Sequence, residues 1–592
     1  MVTNHSLSAD AFAELAGGAG DGAVVGQLRA AQLSKHLMLL HVVAGAADAT
    51  AAAGTGPQPS AVDAFRSGYQ LLARARATYP AAVAGVLSLP HFGSWAHDCL
   101  TCLDEGSPPD FGYLPAVAAA AAVPLGIAFE LDVPVRGGRV PLPGLGCLEV
   151  PGAGEWIRLS SDGERLLAGR DIDVACAGLV PDDGTGVPVP HWRGTPLIRA
   201  VAGGQVWEVL LEGDDRYLDR YSLPMLTAMT VAEVTRWRRC VQAGWELLVR
   251  HHAWAAEPVA AGLRVIVPLV RASDLDSAAS PAAFGAIATS LPPSPVSMAE
   301  TLVHEFQHVK LGALMDMLPL VKPNDKRGYA PWREDPRPMG GLLQGAYAFT
   351  GIVRFWSVQR RQATGPDDVL RAEVLYERWR LAIEVVTRKV LASGVLTPDG
   401  TRFVTMLRES GQHQGPRPVS AEAAEIAREV VLDNWLTWQL RHEAVDVVGV
   451  AALAAAFRRG EPPGDRGLPV TRVEDDIRKV DSVTRSRLLT MRYAEPARFR
   501  QLSAADLQEL GTADALLIRG DACAAVTAYR DQLAAEPDPA AWIGLALAVH
   551  RLPAASSRPP LADRLPLLVE VHRCLAGQGI HADPLDLAAW FT

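Results

Sequence analysis

The stretch Ser297–Leu318, SMAETLVHEFQHVKLGALMDML, decides how the rest of this chain is read. It contains His304-Glu305-Phe306-Gln307-His308, an HExxH motif. On an α-helix residues four apart lie one above the other, so both imidazoles leave the same face with Glu305 beside them, a two-point clamp for a metal ion. The run also carries helix signals. Ser297 followed three residues later by Glu300 reads as a capping box, and Leu302, Val303, Phe306, Val309 and Leu311 supply apolar cover around the polar stripe. His304 and His308 are therefore expected on a rigid, buried helix as metal ligands rather than as a core pair.

The composition is that of a globular chain. Its 592 residues, 49% hydrophobic and 21% charged, suffice for three or four domains with sizeable cores. A formal net charge of −10 and the lack of a Lys/Arg-rich block argue against nucleic acid as a partner. The N-terminus, MVTNHSLSADAFAELAGG, lacks the basic region and apolar core of a signal peptide, and no apolar run is long enough to cross a membrane. Seven cysteines scattered over this length make no disulfide framework, so a reducing, cytoplasmic location is expected. Cys99 and Cys102 form one CxxC with no second pair nearby and read as helix packing.

Outward from the motif the chain divides into four expected parts, of an α+β, mostly helical fold. Residues 1–125 are expected to be helical, with apolar spacings of three and four broken by clusters such as GTGPQPS. Residues 126–222 alternate short Val/Ile/Leu runs with turns and read as a small antiparallel β region. Residues 223–460 form the metal-binding domain: a helix Val231–His251 with Trp237, Val241, Trp245 and Leu248 on one side, two short strand-like runs, LRVIVPLV and AFGAIATSLP, then the motif helix. A strand edge just before that helix offers an extended peptide a place to bind by β-addition. Residues 461–592 are expected to be helical, and ADALLIRGDACAAVTAYRDQLAAEPDPAAWIGLALAVHRL has the pattern of a tetratricopeptide-like helix pair. RRGEPPGDRGLPV is the linker candidate.

Two imidazoles need a third ligand. Gluzincin-type zinc peptidases take a Glu from a downstream helix and metzincins a His from HExxHxxGxxH. Here VKLGALM follows His308, with Gly312 one place late and Leu314 where the histidine would fall, and the next helix, Gly341–Gln362, carries no carboxylate. Glu373, on the helix Arg371–Leu391, is the preferred carboxylate; Glu334 and Asp335 are its rivals and His413 a more distant one. Glu373 and Glu377 also fit a solvated face paired with Arg378 or Arg380. Two His and one carboxylate suit either Zn²⁺, with Glu305 as general base for peptide hydrolysis, or Fe²⁺ in a facial triad open to O₂ and an oxo-acid. Arg333 and Arg337 in PWREDPRP are the guanidiniums that would grip the distal carboxylate of such an oxo-acid, or else brace the loop by pairing with Glu334 or Asp335.

The runs AFGAIATSLPPSPVSMAETLVHEFQHVKLGALMDMLPL and YAPWREDPRPMGGLLQGAYAFTGIVRFW resemble the HExxH domain of clusters that make ribosomally synthesised, modified peptides, where it stands alone or is fused to radical-SAM maturases. The similarity spans most of the chain from the β region to the C-terminus. The resemblance implies an Fe(II)- and 2-oxoglutarate-dependent dioxygenase that β-hydroxylates a side chain of a precursor peptide, with a radical-SAM maturase as a possible pathway partner. His304, Glu305 and His308 carry over from the motif, with Glu305 orienting rather than acting as a base. Some members have a histidine where this chain has Phe349 or, close by, Tyr347; if it is a ligand there, this chain lacks it. The alternatives are a zinc-dependent metallopeptidase and a non-catalytic peptide-binding protein with a degenerate site.

Overall fold

Apolar residues three and four apart build the N-terminal helices, and proline at the first turn starts several of them where a missing N–H costs nothing. In the computed structural model, which describes residues 5–53, 59–186, 188–271, 276–412, 418–463, 471–475, 478–480, 482–503, 506–507, 511–552 and 561–591, these are α1 (Ala9–Ala16), α2 (Gly22–Ala53), α3 (Pro59–Thr78), α4 (Pro80–Leu87), α5 (Pro90–Asp104) and α6 (Tyr113–Ala122). Cys99 is buried on α5, where burial raises its thiol well above the usual range, and all seven cysteines are free. Most of the GTGPQPS run and of the linker candidate, and His413, lie outside the described residues.

The strand-rich stretch is not one sheet. β1 (Phe129–Pro134), β4 (Trp156–Ser161), β5 (Arg165–Ala168) and β6 (Ile172–Ala175) form an antiparallel sheet, and β2 (Arg139–Leu142), β3 (Gly146–Glu149) and β7 (Trp192–Gly194) a second. β8 (Leu197–Ala202) and β9 (Gln205–Leu211) form a hairpin closed by Gly203 and Gly204, whose φ values of 52° and 78° require glycine's freedom.

That hairpin belongs with the motif helix. β9 runs parallel to β10 (Val265–Leu269), β10 parallel to β12 (Ala286–Ser290), and β11 (Ser277–Ala279) pairs antiparallel with β12, giving the order β11-β12-β10-β9-β8. The expected boundary at 222/223 therefore cuts through a sheet. Between β9 and β10 lie α7 (Val231–His251) and α8 (Ala253–Gly262), the crossover that parallel pairing demands. α7 starts at a Thr230/Glu233 capping box and buries the expected Trp237, Val241, Trp245 and Leu248. β10 and β12 are buried at every residue, which is why both read as continuous apolar runs. β11, whose Ser-Ala-Ala has no strand signal of its own, is one edge strand of this sheet and β8 the other.

The motif helix α9 spans Pro295–Met317. Its cap is Ser294, which accepts from Ser297 N (3.1 Å), with Pro295 at the first turn; the expected Ser297/Glu300 box gives way to a serine three residues earlier. α2, α7 and α8 pack on α9. A Cβ at Gly244 would meet Met298 Cγ at 2.5 Å, and one at Gly262 the Phe306 ring at 2.4 Å, so two glycine notches bring α7 and α8 close to it. The loop after α1 is fastened to the same helix: Gln307 donates to Gly18 O (2.9 Å) and Lys310 to Ala19 O (2.7 Å).

The compact units of the chain are Met1–Pro319 and Leu320–Thr592, rather than four parts. The second unit is nearly all helical. A two-residue ladder, β13 (Arg327–Gly328) with β14 (Arg337–Pro338), ties off the polar loop, followed by α10 (Met339–Gln362), α11 (Pro366–Ala392), α12 (Pro398–Gln412), α13 (Ala421–His442) and α14 (Val447–Arg458). β15 (Glu443–Val445) pairs with β16 (Thr471–Val473), and α15 (Val483–Ala494), α16 (Pro496–Arg500), α17 (Thr512–Arg519), α18 (Ala522–Ala535), α19 (Pro539–Arg551), α20 (Leu565–Gly577) and α21 (Pro584–Trp590) complete it. α19 is buried at every position from Ala540 to Val549, so it serves as a core helix. Buried Arg485 donates to Asp433 and Asp514 (3.2 Å each), pairing a charge that the core would otherwise not tolerate. Among the described residues no helix is long and apolar enough to cross a membrane.

One buried group gives this fold a pH dependence. His36 on α2 is 2% exposed, donates Nδ1–H to Leu87 O (2.8 Å) and lies 5.9 Å from the Phe92 ring. Burial pushes its pKa down from 6.5 to about 4, against the smaller effect of the Leu87 bond. The native state then holds fewer protons than the unfolded one, so stability present above pH 6.5 is lost as the pH falls toward 4. Wild type should lose about 3 kcal/mol over that window relative to His36→Phe, read by denaturant titration; parallel curves would contradict it.

Candidate metal centre

α9 sets the geometry of the motif. Its 3.6-residue turn puts the His304 and His308 rings 5.0 Å apart between centroids, at 78° to one another. His304 keeps 22% of its side-chain surface exposed, so a small ion can reach it from solvent. Burial, and then the neighbouring His308, hold the His304 imidazole well below its usual range. A neutral imidazole is the form that ligates a metal.

Glu305 points the other way energetically. It is 2% exposed, with Oε1 4.0 Å from His304 Nε2 and accepting from Ser277 Oγ (2.7 Å). Its other oxygen, Oε2, is buried without a hydrogen-bond partner among the described residues. Burial pushes its carboxyl up to about 7, and the Ser277 bond offsets only part of that. Among the described residues no guanidinium or ammonium is among the groups acting on it. A cation held on the neighbouring imidazole would stabilise the ionised carboxylate.

Sequence reasoning missed two residues here. Ser277 lies in DSAAS, a small polar run with no pattern to mark it, and becomes a site residue because β11 pairs with β12 above α9. Tyr221 follows the loop after β9; its hydroxyl is buried without a hydrogen-bond partner among the described residues, and burial followed by the Glu305 carboxylate raises its phenol.

The remaining expected site residues have local partners in the second unit. Glu373 Oε2 accepts from Ser420 N (3.0 Å) and Ser420 Oγ (2.6 Å), and Ser420 is the N-cap of α13. Its carboxylate thus braces a helix start. Glu377 is held by Arg380 through two bonds, at 2.8 and 2.7 Å. Arg333 and Arg337 both donate to Asp335, at 2.9 and 3.1 Å, and Glu334 lies 3.5 Å from Arg441. Burial alone would raise the Asp335 carboxyl, but the two guanidiniums outweigh it and hold it low. Loop bracing is therefore what both arginines do here. Phe349 stacks between Trp332 (4.9 Å) and Trp379 (4.0 Å), and Tyr347 is buried, so both positions are given to packing.

Among the described residues no group of three or more His, Cys, Asp or Glu side chains is set to hold a metal. The two imidazoles fit two coordination positions; the carboxylate expected beside them is not identified. No known family model matches the chain, and neither does any curated protein.

Metal titration of metal-free protein tests the pair. One Zn²⁺ or Fe²⁺ per chain should bind, and His304→Ala or His308→Ala should each weaken it at least about a hundredfold, the upper range of what loss of an outer partner costs. Glu373→Gln should keep the metal and lower stability by about 1 kcal/mol through its cap. Metal retained by both histidine variants would remove α9 from the site.

Proposed function

We propose that the protein is an Fe(II)- and 2-oxoglutarate-dependent oxygenase that β-hydroxylates a side chain of a ribosomally made precursor peptide. The observation that carries the reading is the partly accessible His304/His308 pair, with burial holding His304 toward its neutral form, on a helix braced on several sides in a stretch that resembles such enzymes. The absence of either standard third zinc ligand from the sequence points the same way.

The chain's own residues would divide the work as follows. His304 and His308 hold the metal, whose bound form supplies the activation of dioxygen coupled to decarboxylation of the oxo-acid. One oxygen atom of O₂ ends in the peptide hydroxyl and the other in succinate, with CO₂ released. Ser277 fixes Glu305, and Glu305 in turn lies beside His304 and orients it. The β11 edge supplies backbone donors and acceptors to an extended peptide next to that carboxylate, which recognises a main chain whatever its side chains. A cytoplasmic setting follows from this reading, since it keeps both Fe²⁺ and the seven free thiols reduced.

One observation favours a second reading. Glu305 has Oε1 fixed by Ser277, 4.0 Å from His304 Nε2, and Oε2 without a hydrogen-bond partner among the described residues; a carboxylate held so close to a ligand, with one oxygen unused, suits a general base that takes a proton from a metal-bound water. On that reading the protein is a zinc peptidase.

A single assay separates the two. After anaerobic loading with Fe²⁺, exposure to air with 2-oxoglutarate should release succinate, and His304→Ala should abolish it. No succinate, together with Zn²⁺-dependent peptide cleavage that Glu305→Gln removes, would replace the hydroxylase reading with the peptidase.

A further inference from the structure

A cavity of about 520 Å³ opens in the first unit between the β2-β3-β7 sheet and the carboxyl end of β9, and no residue of α9 lines it. Its size suits a small organic ligand, and β9 is one of the parallel strands, whose carboxyl ends are where open sheets bind ligands. Pro141, Leu142, Pro196, Leu211 and Val234 give it apolar walls.

The charge in this cavity is unusual. Arg136, Arg139, Arg193, Arg216 and Arg238 all reach it. Arg136 and Arg216 are occupied by Asp110, at 2.7 and 3.1 Å. Arg238 donates to Asp182 O (2.8 Å) and lies 3.7 Å from the Asp182 carboxylate. Arg193 and Arg139 share one carboxylate, Asp214, at 3.0 and 3.7 Å. Besides Asp182 and Asp214, two further carboxylates line the cavity, Glu212 and Asp215, and neither offsets these cations. Glu212 accepts from Thr195 Oγ1 (3.0 Å) and lies 3.6 Å from Nε2 of the fully buried His91; the pair keeps His91 protonated more readily than usual and Glu212 ionised. Asp215 accepts from Tyr113 OH (2.6 Å), and burial drives its carboxyl toward the neutral form. The cavity is left net positive around Asp214.

Arg193, Asp214 and Arg139 keep 33–42% of their side-chain surface exposed, so a ligand from solvent can reach them, while Nη2 of Arg193 is buried without a hydrogen-bond partner among the described residues. We propose that this cavity binds a small organic anion, carrying a carboxylate or a phosphate, on Arg193 and Arg139, with Asp214 as the internal counter-ion that the ligand displaces. Guanidiniums grip either group through paired hydrogen bonds, and the apolar walls take the carbon body. Burial pushes the thiol of Cys147, which also lines the cavity, up to about 12, so the site binds its ligand without a nucleophile.

The test is thermal unfolding and calorimetry of the full chain, metal-free and at constant ionic strength, with succinate and inorganic phosphate as probes. At least one probe should give a saturable stabilisation, and which one does separates the carboxylate from the phosphate class. Arg193→Gln should weaken that probe about tenfold, whereas Asp214→Asn, which frees both guanidiniums, should tighten it by a similar factor. Opposite signs exclude simple damage, which would weaken binding in both variants. His304→Ala should leave binding unchanged. No saturable response to either probe, the same sign in both cavity variants, no change in either, or loss of binding in His304→Ala would each overturn the proposal.

Discussion

The first unit depends on the burial of α9. A helix covered by α2, α7, α8 and a strand edge has little room for polar side chains, and each one it keeps must find a partner or a purpose. Gln307 and Lys310 find backbone carbonyls in the loop after α1. Glu305 finds Ser277 for one oxygen only. The two histidines lie four residues apart on one side of the helix, each partly accessible. Packing thus fixes the rotational setting of the helix, and that setting presents both imidazoles together. A site held this way has its order built in before any ligand arrives, which is the condition for tight and selective coordination.

The motif and its helix were legible because they rest on one local rule, the helical repeat, and α7, β10 and β12 were legible for the same kind of reason. The cap was read three residues late because Ser294 and Ser297 both satisfy the same rule, and only the backbone distinguishes them. β11 was invisible: a Ser-Ala-Ala run becomes a strand through its neighbour, not through its own propensity. The boundary at 222/223 failed because β8 and β9 look like the meander before them, yet β9 pairs in parallel with a strand more than fifty residues on. Long-range pairing leaves no mark on a local pattern.

The carboxylates show the same limit from the other side. Glu373, Glu334 and Asp335 were eligible as ligands on residue type alone, and so were Arg333 and Arg337 as carboxylate grips. In the fold each is engaged close to home, Glu373 at a helix cap and the rest in ion pairs of the polar loop and α13. A charged side chain near a motif usually has such a local partner, and only coordinates reveal it. The Arg193–Asp214–Arg139 arrangement went unread for the converse reason: its members come from three separate strands and loops, with no motif to join them.

The central claim is that His304 and His308 together ligate one metal ion. X-ray absorption on the Zn²⁺-loaded chain tests it most directly, since zinc suits either reading of the chemistry. The account predicts two imidazoles per zinc at Zn–N distances of about 2.0–2.1 Å, falling to one in His304→Ala. A spectrum without imidazole scattering, or one that the substitution leaves unchanged, would contradict it.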